Sequence, residues 1–446
     1  MPSHRDHDAV QFDGETNTRP SSGNVITHDH SNDGIDRRGF LRCMAWAGTG
    51  VAWGLAAGVP TSIPLSRIPF LTDAEKKSIF FAQISDSHIG FAKEANMNVV
   101  GTLQQAVDKL NALPQTPALV LHTGDITQLA KPDEFDTANQ VLKGLRAERV
   151  FYVPGEHDVA TDNGASYLQR YGKGTKGGGW YSFDASGVHF IGLVNVLNLK
   201  AGGLGTLGAD QLAWLAKDVS RLPSSTPIVL FAHVPLWTVY PEWGWGTDDS
   251  ERALSLLKRF GSVTVLNGHI HQIMQKVEGH VAFHTAMSTA FPQPAPGTAP
   301  APGPMVVQPE RLKSVLGIAN VTFIPGRSSL AIVDSTLSGE PPAFDAATRD
   351  AANRPKRTHA ALGANEIGID NFVFAPSPLV VAPGTRVTWV NNDDVPHLIV
   401  NVQRAFRQSP VLDTDQRFSA TLTKPGTYDY FCSLHPKMQG KIIVRS

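Results

Sequence analysis

Five short apolar runs in this chain each end in a residue that can ligate a metal, and few folds satisfy five such endings at once. Ile79–Ile84 leads into Asp86-Ser87-His88, and Ala118–Leu121 into Gly124-Asp125. Val150–Val153 leads into Gly155-Glu156-His157-Asp158, Ile228–Phe231 into His233, and Val263–Leu266 into Gly268-His269-Ile270-His271. Apolar runs this short, bounded by turn residues, read as buried strands. In open α/β sheets the loops beyond the carboxyl ends of neighbouring strands converge, so the five endings are expected to build one site. Asp86 and His88 lie two residues apart, as do His269 and His271, and from an extended segment each pair points one way. Carboxylates mixed with imidazoles suit Fe, Mn, Zn or Ni better than Mg or Ca alone. Gly124 lets Asp125 approach closely, and a carboxylate there can bridge two ions.

Between these runs lie helical spacings: Leu103, Ala106, Val107, Leu110; Phe135, Ala138, Val141, Leu142, Leu145; Leu212, Leu215, Val219; and Leu254, Leu257, Phe260. Helices interleaved with apolar strands over residues 76–337 predict an α/β layered domain. Phe291–Pro304, rich in Pro, Ala and Gly, is expected to be a long surface loop, with Ile318–Ile324 and Ser328–Val333 as closing strands. Residues 338–364 read as an interdomain linker. From 365 to 446 the pattern turns to short alternating strands split by Pro-Gly turns, among them Phe372-Val373-Phe374, Arg386–Val390 and Arg417–Leu422, which predicts a small all-β sandwich.

In their order, D-x-H, G-D, G-x-H-D, H and G-H-x-H resemble the calcineurin-like metallophosphoesterase superfamily, as does Gly208-Ala209-Asp210-Gln211-Leu212-Ala213-Trp214-Leu215. The resemblance covers most of residues 76–337. It implies a four-layer α/β (α+β) sandwich, two packed mixed sheets flanked by helices. It implies one metal on Asp86, His88, Asp125 and His271 and a second on Asp125, Glu156, His233 and His269, as divalent or mixed-valence Fe, Mn or Zn. The activity implied is hydrolysis of phosphomono- or phosphodiesters by metal-activated water. The resemblance places His157 beside the phosphate as charge stabiliser or proton donor, and Asp158 is expected to orient that imidazole. Glu156 departs from the family, which has Asn there. The added negative charge is expected to tighten metal binding, to favour a ferric ion and to weaken attraction for an anionic phosphate.

The C-terminal segment holds Asp394-Val395-Pro396-His397 and later Tyr430-Phe431-Cys432-Ser433-Leu434-His435-Pro436-Lys437-Met438. A thiolate and two imidazoles with a weak axial thioether make a trigonal copper site for electron transfer. The C-x-x-H-x-x-M spacing delivers three ligands from one loop, and His397 comes from elsewhere. This resembles the cupredoxins, most closely the amicyanin, pseudoazurin and plastocyanin group, over about residues 365–446. The resemblance takes in Thr388-Trp389-Val390-Asn391 and the closing Lys441-Ile442-Ile443-Val444. It implies one copper on His397, Cys432, His435 and Met438, and a redox partner protein.

Residues 1–35 are polar and predicted to be disordered. Asp36-Arg37-Arg38-Gly39-Phe40-Leu41-Arg42, followed by the Ala/Gly-rich stretch Cys43–Pro60, resembles a twin-arginine signal, with a small-residue site at Ala56-Ala57. Residues 1–60 are therefore expected to direct export to the periplasm or another extracytoplasmic space, or, uncleaved, to anchor the chain to a membrane. Of two cysteines, Cys43 falls in the signal, so Cys432 alone remains, and copper would protect its thiolate. Lys+Arg (39) nearly balance Asp+Glu (40), which argues against a nucleic-acid-binding surface.

Weaker candidates have blander readings. Trp237, Tyr240, Trp243 and Trp245 could stack on a ring of a ligand, but such a cluster more often packs a loop or a domain interface. His189 reads as a satisfied core histidine, His284 as structural, and Gly172–Gly179 as a hairpin tip. The leading expectation is an exported phosphoesterase with a fused blue-copper domain. The competing one is an electron-transfer protein whose first domain is a binding module.

Overall fold

The computed structural model describes residues 51–56, 59–64, 78–197, 199–324, 330–339 and 361–445. The Arg37-Arg38 segment and most of the expected linker, residues 340–360, lie outside the described residues. β1 (Val51–Ala56), inside the stretch read as the apolar part of an export signal, pairs antiparallel with β2 (Val59–Pro64), most of which lies beyond it. Among the described residues no helix is long and apolar enough to cross a membrane.

The strands that carry the metal-ligand motifs divide between two sheets. One holds β3 (Ile79–Ile84), β4 (Val120–His122) and β5 (Val150–Tyr152), mutually parallel. The other takes β6 (Tyr181–Ala185), β7 (Val188–Gly192), β8 (Ile228–Ala232), β9 (Val263–Asn267), β10 (Gln275–Glu278) and β11 (Val281–Thr285). Its order is β10-β11-β9-β8-β7-β6, and the middle four strands are parallel. The first sheet is closed by β12 (Gly317–Phe323), antiparallel to β3, and β13 (Ala331–Thr336). That last strand starts later than the apolar run at Ser328 suggests.

Side chains in a strand alternate between faces, and this alternation builds the layers. Ile79 and Phe81 of β3 pack with Val229 and Phe231 of β8 in a core between the two sheets. The other face of β3, Ala82 and Ile84, packs against the helices Val99–Asn111 and Pro132–Leu142. Ile228, Leu230 and Ala232 of β8 pack against Ala209–Val219 and Ser250–Leu257. The result is helix, sheet, sheet, helix, the four-layer sandwich with mixed sheets. Residues 291–304 contain no helix or strand.

The C-terminal sandwich begins with β14 (Glu366–Asp370), β15 (Val373–Ala375), β16 (Leu379–Val381) and β17 (Thr385–Asn391). It continues with β18 (Ile399–Asn401), β19 (Arg417–Leu422), β20 (Gly426–Cys432) and β21 (Gln439–Val444). Sheets β15-β14-β17-β19 and β16-β21-β20-β18 enclose Trp389, Phe418, Tyr430 and Ile442. β15 starts one residue late because Phe372 adopts φ 59°, a turn conformation that a strand does not accept.

His189 is a partnered core residue. Its ring nitrogens meet Asp184 at 2.8 Å and Asp218 at 2.9 Å. Burial alone would lower its pKa, but hydrogen bonds to Asp218 and Asp184 outweigh burial and raise it above 6.5. A raised folded-state pKa stabilises the fold below the unfolded-state value and loses that contribution as pH rises through the folded-state value. The thermal midpoint difference between wild type and His189→Gln is therefore expected to shrink as pH climbs from about 6 to about 9. A constant difference across that range would contradict the assignment.

Candidate metal centres

All five ligand motifs emerge at the carboxyl ends of parallel strands: Asp86 and His88 after β3, Asp125 after β4, Glu156 after β5, His233 after β8, and His269 and His271 after β9. The two sheets bring these loops to one edge. Asp86 and His88 do not lie on an extended segment, as their spacing suggested. They sit at φ 52° and 41°, and Asp125, His269 and His271 at 50°, 71° and 54°. The chain turns inward immediately after each strand, and the left-handed residues aim both members of a pair into the same space. Such backbone costs about 1–3 kcal/mol per residue and persists where neighbours over-determine it. Here the Asp86 N–H donates to Gly124 O at 3.0 Å and the His88 N–H to Asp125 O at 2.9 Å. Two glycines are required for contact: a Cβ at Gly155 would lie 2.0 Å from Asp125 Oδ1, and one at Gly124, 2.5 Å from His233 Nδ1.

The seven side chains separate into two groups around Asp125. His88 Nε2 lies 3.2 Å from His271 Nε2, which is 3.3 Å from Asp86 Oδ1. Glu156 reaches His233 Nε2 at 3.0 Å with Oε2 and His269 Nδ1 at 2.9 Å with Oε1. Asp125 Oδ2 stands between, 3.5 Å from His88 Nε2 and 3.3 Å from His233 Nε2. Each group could hold a metal ion.

The donor set fits that use. The far ring nitrogens are anchored: His88 Nδ1 to Gln128 Oε1 at 2.8 Å, His233 Nδ1 to Thr123 O at 2.7 Å, and His271 Nδ1 to Phe291 O at 2.6 Å. The inward atoms Glu156 Oε2, His233 Nε2 and His269 Nδ1 are buried and face only one another and the neighbouring carboxylates. Anchoring one imidazole nitrogen fixes the tautomer that presents the other to a metal. The electrostatics agree. Burial alone would raise the Glu156 pKa, yet His269 and His233 hold it well below the carboxylate range. Burial dominates at His88 and lowers its pKa to about 3, leaving a neutral imidazole.

His157 lies at the rim of this nest. Its ring meets His88 edge-on at 4.7 Å between centroids, its backbone N–H donates to Asp125 Oδ1 at 3.0 Å, and its Nδ1 faces Gln128 O at 2.8 Å. The expectation that Asp158 orients the His157 ring is corrected by this geometry. Asp158 accepts from the backbone N–H groups of Ile126, Thr127 and Gly155 and from Thr127 Oγ1, at 2.8–3.1 Å. As the third residue of the short helix Glu156–Val159 it points back into the preceding turn. It braces the loops that carry Asp125 and Glu156. Gln128 takes the orienting position, and no spacing in the sequence marked it.

The second cluster gathers His397, Cys432 and His435. His435 Nδ1 lies 3.3 Å from His397 Nδ1 and 3.7 Å from Cys432 Sγ, and Met438, at the end of the same loop, is buried. The Cys432 sulfur accepts the Leu398 N–H at 3.4 Å. His397 Nε2 is tied to Asp393 Oδ2 at 2.8 Å, which leaves Nδ1 for the metal. Asp393, four residues before His397, is a partner that no motif in the sequence marks. The donors fit copper: a soft thiolate and two imidazoles in one cluster, with the buried thioether of Met438 in the same core.

The copper ligand loop abuts the first site. The rings of His435 and His157 lie 6.4 Å apart at 65°. A cavity of about 40 Å³ is lined by His88, Asp125, Glu156, His157, His269 and His271 and roofed by Trp243, Phe372 and His435. The aromatic loop after His233 thus meets the copper domain, and Trp237 packs on Phe283. His284 takes the structural role expected of it, 2.9 Å from Asp334.

Family comparisons cover both halves of the chain. The calcineurin-like phosphoesterase family matches residues 81–273, and the cupredoxin-like domain matches residues 347–444. Amicyanin-alpha of Methylorubrum extorquens is 33% identical over 90 residues, 19% of this chain and 75% of its own length. Amicyanin of Paracoccus denitrificans is 36% identical over 86 residues, 18% of this chain and 66% of its own. A probable glycerophosphodiester phosphodiesterase GpdQ of Arcobacter nitrofigilis is 26% identical over 243 residues, 51% of this chain and 84% of its own. Through its C-terminal part the chain belongs to the cupredoxin family, and it carries a calcineurin-like phosphoesterase domain ahead of it.

Proposed function

We propose that the protein is an exported phosphoesterase with a binuclear metal site in residues 76–337 and a type 1 copper site in residues 365–446, and that it acts on a small phosphodiester. The observation that carries this reading is the convergence of three carboxylates and four imidazoles on one buried space. The likeness to proteins named glycerophosphodiester phosphodiesterase supports the diester class, and the small roofed cavity favours a compact substrate. Export rests on the twin-arginine pattern before Cys43.

Bound metals would clamp the phosphate oxygens and supply an activated nucleophile at neutral pH. Asp86, His88 and His271 would hold one ion, Glu156, His233 and His269 the other, and Asp125 would span both. His157 stands where it can hold a proton for the leaving oxygen. Asp125 and Glu156 raise its pKa although burial opposes them. Gln128 O keeps that imidazole in place. Turnover of a small glycerophosphodiester by protein carrying two metal ions in this site tests the reading, and inert, fully loaded protein would end it.

Glu156 gives the competing reading its weight. An anionic ligand where the family has a neutral one strengthens the site as a metal holder and opposes an anionic substrate. Glu156→Asn is expected to release metal faster to a chelator and to raise kcat/KM for the diester. Unchanged metal retention together with unchanged hydrolysis would remove the special role of this residue.

A further inference from the structure

We propose that the two metal centres work as one electron-transfer unit joined at the contact of His435 with His157. The proposal rests on reading both clusters as metal sites. His435 closes the copper cluster with Nδ1 and turns its ring toward His157, 6.4 Å away between centroids. The His157 ring in turn lies 4.7 Å from that of His88. Three imidazoles, of His435, His157 and His88, therefore run in succession from one cluster to the other. Electron tunnelling falls off exponentially with the gap to be crossed, so near-contacting rings between two metal sites form a preferred route.

The packing that produces this contact is specific to the ligand loop. The residue after His435 accepts a backbone hydrogen bond from the other domain, Gly202 N to Pro436 O at 2.6 Å. His435 shares a second, larger cavity of about 190 Å³ with Glu156 and His269. A sandwich with many faces has docked the one that carries its metal ligands.

Ligand charge gives the direction. The binuclear nest holds three carboxylates, which stabilise a higher-charged ion. The copper set holds one thiolate and otherwise neutral donors, which favours the cuprous state. With iron in the nest, one electron passes from a ferrous ion to cupric copper, leaving ferric and cuprous ions. No bond need break and no proton need move. The copper domain would then set the valence of the hydrolytic pair.

The test uses the full chain with its iron pair ferrous and its copper cuprous. A photo-excited ruthenium oxidant converts the copper to the blue cupric form, and the thiolate–copper absorption is followed. The expected result is single-exponential loss of the blue colour at a rate unchanged by dilution, with colour persisting in protein whose nest holds zinc. Persistent colour with iron, or a rate proportional to protein concentration, overturns the proposal. His157→Leu is expected to slow the decay without altering the copper spectrum. Independently of that variant, faster cupric spin relaxation is expected with iron than with zinc, and equal relaxation also overturns it. Hydrolysis by zinc-loaded protein reports on the phosphoesterase reading separately, so the two can fail apart.

Discussion

Asp125→Asn is expected to lower kcat/KM for a phosphodiester on the order of 10³-fold or more, the scale seen when a group stabilising transition-state charge is lost. One Asp125 oxygen lies between His88 Nε2 and His233 Nε2, at 3.5 and 3.3 Å, and the other receives the His157 N–H. An amide oriented to keep the bond from His157 turns its NH₂ toward the two imidazoles, where no metal can use it. Turnover and metal content per chain should therefore fall together. Wild-type activity in the variant would mean that the nest is not the reaction centre. The fold should survive, because the exchange preserves shape and the packing of the sheets does not involve this side chain.

Cys432→Ala is expected to abolish the blue colour completely, since the absorption belongs to the thiolate–copper bond. Cys432 is fully buried and is the last residue of β20. The metal-free variant should lose about 1 kcal/mol, because the Leu398 N–H loses its sulfur acceptor. The holoprotein should lose more. Copper at a hundred times its Kd stabilises the native state by about 2.7 kcal/mol through mass action, and the variant forfeits the part that depends on sulfur. Visible absorption and thermal unfolding with and without copper check both halves. A blue variant would remove Cys432 from the copper site.

The layered core was legible because burial in strands follows a period of two: the run at Ile79–Ile84 divides cleanly between the inter-sheet core and the helix-facing core. The residues that cluster at the sheet edge were legible because each follows such a run directly. What escaped depends on conformation or distance. The left-handed turns at Asp86, His88, His269 and His271 leave only a weak trace in residue type: Asp and His adopt positive φ more readily than most side chains, yet far less often than glycine. Asp158 was given the wrong partner because adjacency to His157 suggested contact, whereas helical geometry turned it toward Ile126 and Thr127. Gln128 holds His88 and His157, and Asp393 holds His397, through hydrogen bonds that no short motif encodes. The meeting of Trp243 with Phe372 and His435 joins segments more than a hundred residues apart, with no local pattern at either end.

The roof that Phe372 and His435 place over the nest has a consequence for assembly. Both centres border the same cavities on that side, so a cation or chelator reaches either one through space that the other also lines. A chelator presented to the finished protein is therefore expected to meet both kinds of site through one approach.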